Sequence, residues 1–323
     1  MKSDKILLIA AITILLSVTG FVGWQILNMG RKEEPVKVSV IVNNSSLDRW
    51  TNFKEGLEQG GVDFGIRINI VSTSEISSMS AEKEIIEKEI SNGAGALIVE
   101  LYNSYNQAAY LEELSAEIPL VLVETDTSPE DVFYSVTADN YNLGQTLAKE
   151  LLKDLNGRSA KVGIIAGNQE QLSMFQRLSG FRDGLKGSGV SVVWQISGYN
   201  DAGVVAEMSE YQKENHADFC VGLGNSETEK AIDYYNVFNG NFEGVIYGVG
   251  CSEEAAYYLD NGLIKKLIVP DEFDMGYQSA LSIAKRVSYI TEAEKHIETV
   301  YKVIDAESLY SPENEMLIFP EKP

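Results

Sequence analysis

The chain has 323 residues, enough for about two domains of roughly 150 residues each. Its 44% hydrophobic and 23% charged content is that of a globular protein and excludes wholesale disorder. With 26 basic and 48 acidic side chains the net charge is −22, a surface that repels phosphate backbones and argues against nucleic acid as a partner, while two histidines and two cysteines leave no Cys/His zinc cluster and no disulfide scaffold.

From Ile6 to Leu27 no residue is charged. As a helix this run spans about 33 Å, enough for a bilayer core of about 30 Å. Lys2 and Lys5 precede it and predict a cytoplasmic N-terminus. A cleaved signal peptide is the rival reading, with Val18 and Gly20 small enough for cleavage before Phe21. The run is longer than a typical secretory core, which favours an uncleaved single-pass anchor. Either way residues 36–323 are expected outside the cytoplasm. No cysteine lies near the end of the run, so no lipid-modified N-terminus is expected.

After the polar linker Arg31–Pro35 the chain repeats an apolar run, a turn and an amphipathic stretch. The runs are Val38–Val42, Ile66–Val71, Ala96–Val99, Leu120–Val123, Val162–Ala166, Val190–Trp194, Phe219–Leu223, Val245–Val249 and Leu267–Val269. Short continuous runs of this kind suit parallel strands buried on both faces. Between them, leucines 143, 147, 151 and 155 mark one helix face, and Met174, Leu178, Phe181 and Leu185 another. Ser80, Asn225 and Ser252 signal helix starts; Gly157 and Gly262 signal stops. The alternation predicts α/β architecture, with two doubly wound parallel-sheet domains behind the membrane segment.

In such folds ligands bind beyond the carboxyl ends of the strands, so candidate site residues are sought there. The first run is followed by Asp48, Arg49 and Trp50: an aromatic face beside a charged pair, or a Trp that simply packs its helix onto the sheet. The third and fourth runs end in Glu100 and in Glu124-Thr125-Asp126, carboxylates unusual at buried strand ends unless they face a polar cleft. Arg177 opens the Phe181 helix, and Asn225 caps its own helix or meets a ligand. Gly222-Leu-Gly224 and Gly248-Val-Gly250 resemble nucleotide loops, but Glu227 and Glu253 replace the third glycine and would repel a pyrophosphate. There is no Gly-x-Ser-x-Gly elbow, no phosphate loop, and no nucleophile-plus-base pattern around His216 or His296. No catalytic residue, metal site or cofactor is expected. Cys220 and Cys251, in and after neighbouring strands, are left open as a pair or as free thiols.

An ordered set of landmarks carries a family resemblance. They are Phe53-Lys-Glu-Gly56; Ile85-Ile86 to Gly93 before Ala96–Val99; Ile118-Pro-Leu-Val121; Ala138-Asp-Asn140; Arg177-Leu-Ser-Gly-Phe181; Asn225-Ser-Glu227; Asp260-Asn-Gly262; and Met275-Gly-Tyr277. In their order and spacing over about residues 36–310 the chain resembles the type I periplasmic sugar-binding proteins. That ribose- and galactose-binding group shares its core with lactose-repressor-type regulators.

The resemblance implies two lobes joined by three hinge crossings, near Ala138–Asp139, Pro270–Asp271 and Val300–Ile304. The lobes are then residues 36–138 plus 271–299, and 139–270 plus 300–323, after a segment 1–35. It implies a ring-stacking role for Trp50 and ligand contacts for Arg177 and Asn225. The family's Asp-Arg pair falls on Glu124-Thr125, its second ligand aspartate on Gly250 and its glutamine on Pro270, so several hydroxyl partners of a simple sugar are missing. The function implied is capture of a small polar ligand, a carbohydrate or similar molecule, for an ABC permease. A membrane-tethered sensor serving a kinase or chemoreceptor is the alternative, and an enzyme on the same scaffold is remote.

Overall fold

The computed structural model describes residues 13, 17–21, 34–127, 133–198, 201–237, 245–250, 252–288 and 292–319. Contacts divide the chain into two units, Met1–Pro35 and Val36–Pro323. In the first, Thr13 and Ser17–Phe21 are helical, and most of the run 6–27 lies outside the described residues, as does Cys251. Among the described residues no helix is long and apolar enough to cross a membrane.

The second unit holds two six-stranded sheets. Sheet one contains β1 (Lys37–Ile41), β2 (Arg67–Ile70), β3 (Ala96–Val99), β4 (Leu120–Val123), β5 (Tyr134–Ala138) and β11 (His296–Thr299), in the order β11-β5-β4-β3-β1-β2. All its pairings are parallel. Sheet two contains β6 (Ala160–Ile165), β7 (Val190–Ile196), β8 (Phe219–Gly222), β9 (Ile246–Val249), β10 (Ile264–Pro270) and β12 (Tyr301–Ile304), in the order β12-β10-β9-β8-β6-β7. It is parallel except for β12, which runs antiparallel to β10. The chain changes sheet after β5, after β10 and between β11 and β12.

The nine apolar runs form β1–β4 and β6–β10, and the central strands β3 and β4 are buried at every residue. The helices that cross between parallel strands are α1 (Thr51–Phe64), α2 (Met79–Ser91), α3 (Ala108–Glu117), α5 (Leu172–Gly184), α6 (Asp201–Glu214), α7 (Asn225–Val237) and α8 (Glu253–Asp260), while α4 (Asn140–Leu155) and α9 (Glu272–Ser288) follow changes of sheet and α10 (Pro312–Ile318) lies near the end. The cap of α2 is Ser78, whose hydroxyl accepts from Ala81 N, rather than Ser80; Ser252 caps α8 in the same way.

Two helix pairs stand closest together, α1 with α9 and α4 with α5. A Cβ at Gly144 would run into the carbonyl oxygen of Arg177, and one at Gly180 into that of Tyr141. Gly56 and Gly276 play the same part against Phe273 and Phe53. These bare backbones let α5 sit directly on α4, which fixes where Arg177 leaves its helix.

Candidate functional site

The carboxyl ends of both sheets line one cavity of about 70 Å³. From sheet one come Asn43, Asn44, Leu47 and Arg49 after β1, Glu75 after β2, Glu100 after β3 and Glu124 after β4. From sheet two come Asn168, Gln171, Met174 and Arg177 after β6, Gly198 after β7, and Gly224, Ser226, Glu227 and Lys230 after β8. Among the described residues, Leu47 and Met174 are the large apolar side chains of the lining.

Glu124 sits at the tightest bend. Its φ is +64°, and Thr125 N donates to Val123 O across it at 2.7 Å, a γ-turn of the rare positive-φ kind. A non-glycine residue in that region costs on the order of 1–3 kcal/mol and persists where the surroundings hold it. Here Glu124 N donates to Val136 O on the neighbouring strand, and the carboxylate is gripped from the other sheet. Arg177 Nη2 donates to Glu124 Oε1 at 2.7 Å. The same guanidinium donates through Nε to Asn140 Oδ1 at 2.7 Å and through Nη1 to Leu223 O at 3.3 Å, with Met174 Sδ at 3.7 Å. Arg177 is 3% exposed, so this is a buried charge with every face committed.

Arg49 completes the cluster. Its Nη2 lies 3.7 Å from Glu100 Oε1 and 4.0 Å from Glu124 Oε1, and its guanidinium lies 3.9 Å over the ring of Trp50. Its Nε is buried without a hydrogen-bond partner, a donor left over at the cavity. Glu100 in turn accepts from Asn43 N at 2.7 Å, which shapes the loop after β1.

Burial acts on every charge here. It pushes Glu100 up against the pull of Arg49. In Glu124 burial is outweighed by Arg177 and Arg49, which hold its carboxyl below the usual range. At the head of α9, burial and the charge on Glu124 push Glu272 up to about 8 although Arg49 pulls the other way. Arg49 itself is raised, because Glu100, Glu124, Glu272 and Glu227 more than offset its desolvation. Among the described residues no group of His, Cys, Asp and Glu is arranged to hold a metal ion.

Of the residues singled out in the sequence, Arg49, Glu100, Glu124 and Arg177 come together in this cavity. Asp48, Trp50, Asn225 and Asp126 do not line it. The 3-10 turn Asp48–Trp50 leaves Asp48 exposed and turns Trp50 inward to 1% exposure, where it packs on Phe53 and donates Nε1 to Asn43 O at 3.0 Å. Trp50 therefore packs in the core, with the Arg49 guanidinium over its ring. Asn225 opens α7 and donates Nδ2 to Glu229 Oε1 at 3.0 Å, while its Oδ1 is buried without a partner. Asp126 faces a separate cavity of about 290 Å³, accepting from Thr127 N at 2.7 Å and Ser135 Oγ at 2.5 Å with His296 Nδ1 at 3.2 Å. Glu75, Asn168, Gln171 and Lys230 went unmarked in the sequence, and Met174 was read only as part of a helix face, because they lie in loops or near helix starts. Their signal is position alone, after a parallel strand. Glu227, read there only as hostile to phosphate, is part of the wall.

Among solved structures, the glucose-galactose binding protein GanP of Geobacillus stearothermophilus is similar with a TM-score of 0.77 at 19% identity, covering 86% of this chain and 100% of its own. A carbohydrate transporter solute-binding protein of Agrobacterium radiobacter, in complex with D-arabinose, gives 0.79 at 18% identity over 89% of this chain and 100% of its own. A chain of the XylFII–LytSN complex gives 0.74 at 18% identity over 84% and 98%. No curated protein sequence matches. The type I fold of these structures, two parallel-dominated sheets facing each other at their carboxyl ends, is the fold described above. The family model of the periplasmic binding protein domain matches residues 38–288, and the chain belongs to that family.

Proposed function

We propose that the cavity between the sheets is the closed form of a cleft that captures a small polar ligand, a sugar or sugar-like molecule, outside the cytoplasm for delivery to an ABC permease. The lobes are 36–138 with 271–299, and 139–270 with 300–323, turning about the three changes of sheet. The observation that carries the reading is the buried Arg177–Glu124 pair, which joins the two walls at 2.7 Å inside a lining contributed by both. Membership of a binding-protein family supports a binder and sets the enzyme reading aside. A cavity of about 70 Å³ is far below the roughly 300–1,000 Å³ of ligand pockets, so the ligand enters when the walls part. Hinges absorb such a motion because close-packed lobes resist deformation. The described lining is mostly polar and charged, so hydrogen bonds to the ligand's polar edges hold it.

Residues 6–27 are proposed as an uncleaved anchor that keeps the body at the membrane. The uncharged run without a following cysteine also favours a second reading, a tethered sensor whose partner is a membrane kinase or chemoreceptor. Cross-linking in membranes separates the two by the class of protein captured.

A thermal-shift panel of pentoses, hexoses, cyclitols and nucleosides tests the cleft. At one hundred times Kd a ligand adds about 2.7 kcal/mol of stability. A sugar or cyclitol that raises the midpoint supports the reading, and a nucleoside alone doing so redirects it.

A further inference from the structure

A buried carboxylate lies outside the cavity. Glu82 lies on α2, is 0% exposed, and among the described residues no ion pair reaches it. Its Oε2 accepts from Tyr102 N, and its Oε1 accepts from Gln107 Nε2 at 3.3 Å. Gln107 Nε2 also donates to Asn103 O at 2.7 Å. One buried side chain thus ties both ends of the loop between β3 and α3, a loop that already contains Asn106 at φ +59°.

The outer rim of the same loop holds the opposite sheet. Ser104 N donates to Glu170 O at 2.8 Å, and Asn103 Nδ2 donates to Glu170 Oε2 at 3.0 Å. In return Asn168 Nδ2 donates to Tyr102 O at 2.8 Å, Gln171 Nε2 to Leu101 O at 2.8 Å, and Leu172 N to Ser104 Oγ at 2.9 Å. Asn168 and Gln171 are themselves lining residues.

We propose that Glu82 is a positioning residue for the cleft: through Tyr102 and Gln107 it presets the clasp loop 101–107 that hydrogen-bonds the opposite wall at 168–172, and so sets how readily the cleft opens. A charged group burying itself without a cation is costly, and the return here is a loop with its polar edge fixed outward. Burial pushes the Glu82 carboxyl up to about 7 in spite of the hydrogen bonds from Tyr102 and Gln107. The inference rests on the reading of these walls as a ligand cleft.

Amide hydrogen exchange on the full chain without ligand tests it, so its failure is separate from that of the ligand screen. In Glu82→Leu, peptides over 101–107 and over 168–173 exchange about tenfold faster, the loss of roughly one hydrogen bond to a charged group. Peptides over β1 and β6 keep their protection. Glu82→Gln keeps an acceptor for Tyr102 N but sets an amide donor against Gln107 Nε2, which Asn103 O holds in place, so both loops exchange at rates between those of the parent and Glu82→Leu. If Glu82→Leu does not fold, Gln107→Leu removes the second tether and is read on the same peptides. Faster exchange confined to 79–107, with 168–173 unchanged, overturns the proposal.

Discussion

The strongest commitments are made by single residues. Arg177 and Glu124 neutralise each other where water is largely excluded, so removing one strands the other. Arg177→Met is expected to cost about 3–5 kcal/mol, and the double variant Arg177→Met/Glu124→Leu to recover much of that. A denaturant double-mutant cycle checks this; additive losses would mean that the two charges do not feel each other. Trp50 belongs to the core, so Trp50→Ala is expected to lose about 3–5 kcal/mol of stability. Trp50→Phe should bind a ligand from the panel nearly as well as the parent, and a loss of affinity at unchanged stability would return Trp50 to the site.

At the scale of elements, the glycine contacts between α4 and α5 decide where Arg177 emerges. Gly144→Ala places a methyl group against a carbonyl oxygen with no side chain to give way. An overpacked contact of this kind costs about 1–3 kcal/mol. A thermal midpoint unchanged in Gly144→Ala would show that the helices part freely.

The strands that the sequence displayed carry apolar runs, whether central like β3 and β4 or at a sheet edge like β2 and β7. It did not display β5, β11 and β12. β5 reads Tyr-Ser-Val-Thr-Ala, β11 His-Ile-Glu-Thr and β12 Tyr-Lys-Val-Ile, so polar side chains interrupt each run. On α9 the buried face includes Met275, Gly276, Ser279, Ala280 and Ile283, and the large side chains Tyr277 and Leu281 are half-buried beside it. The same logic divides the site. Arg49, Glu100, Glu124 and Arg177 were legible because charge directly beyond an apolar run must face either solvent or a cleft. The inward turn of Trp50 was not, because it depends on a single 3-10 turn that leaves no compositional mark.

Across the whole molecule, the buried Glu82 and the half-buried Glu272 make stability depend on pH. Glu272 is pushed up to about 8 and Glu82 to about 7, both above the ordinary 4.5. The folded protein therefore binds these protons more tightly than the unfolded chain. The stability they contribute is complete below pH 4.5 and is lost as the pH rises through 7 and 8. Asp305 runs the other way: Lys266 and Ser308 hold it down to about 2, so its contribution is lost only as the pH falls from 3.8 toward 2. Urea midpoints should decline from about pH 5 to about pH 8, and the decline should shrink in Glu82→Gln/Glu272→Gln. A rising profile would contradict the assignment of either acid. The net charge of −22 adds general repulsion in the same direction.

In the proposed function one ligand is held by both walls. Titration calorimetry of the best ligand from the panel, with the parent, Arg177→Ala and Glu124→Gln, tests it most directly, once each variant is shown to be folded at the temperature used. Each substitution removes hydrogen-bonding or charge from one wall and is expected to weaken binding by about 1.5–3 kcal/mol, roughly 10- to 150-fold. Parent affinity in both variants would place the ligand somewhere other than this cleft.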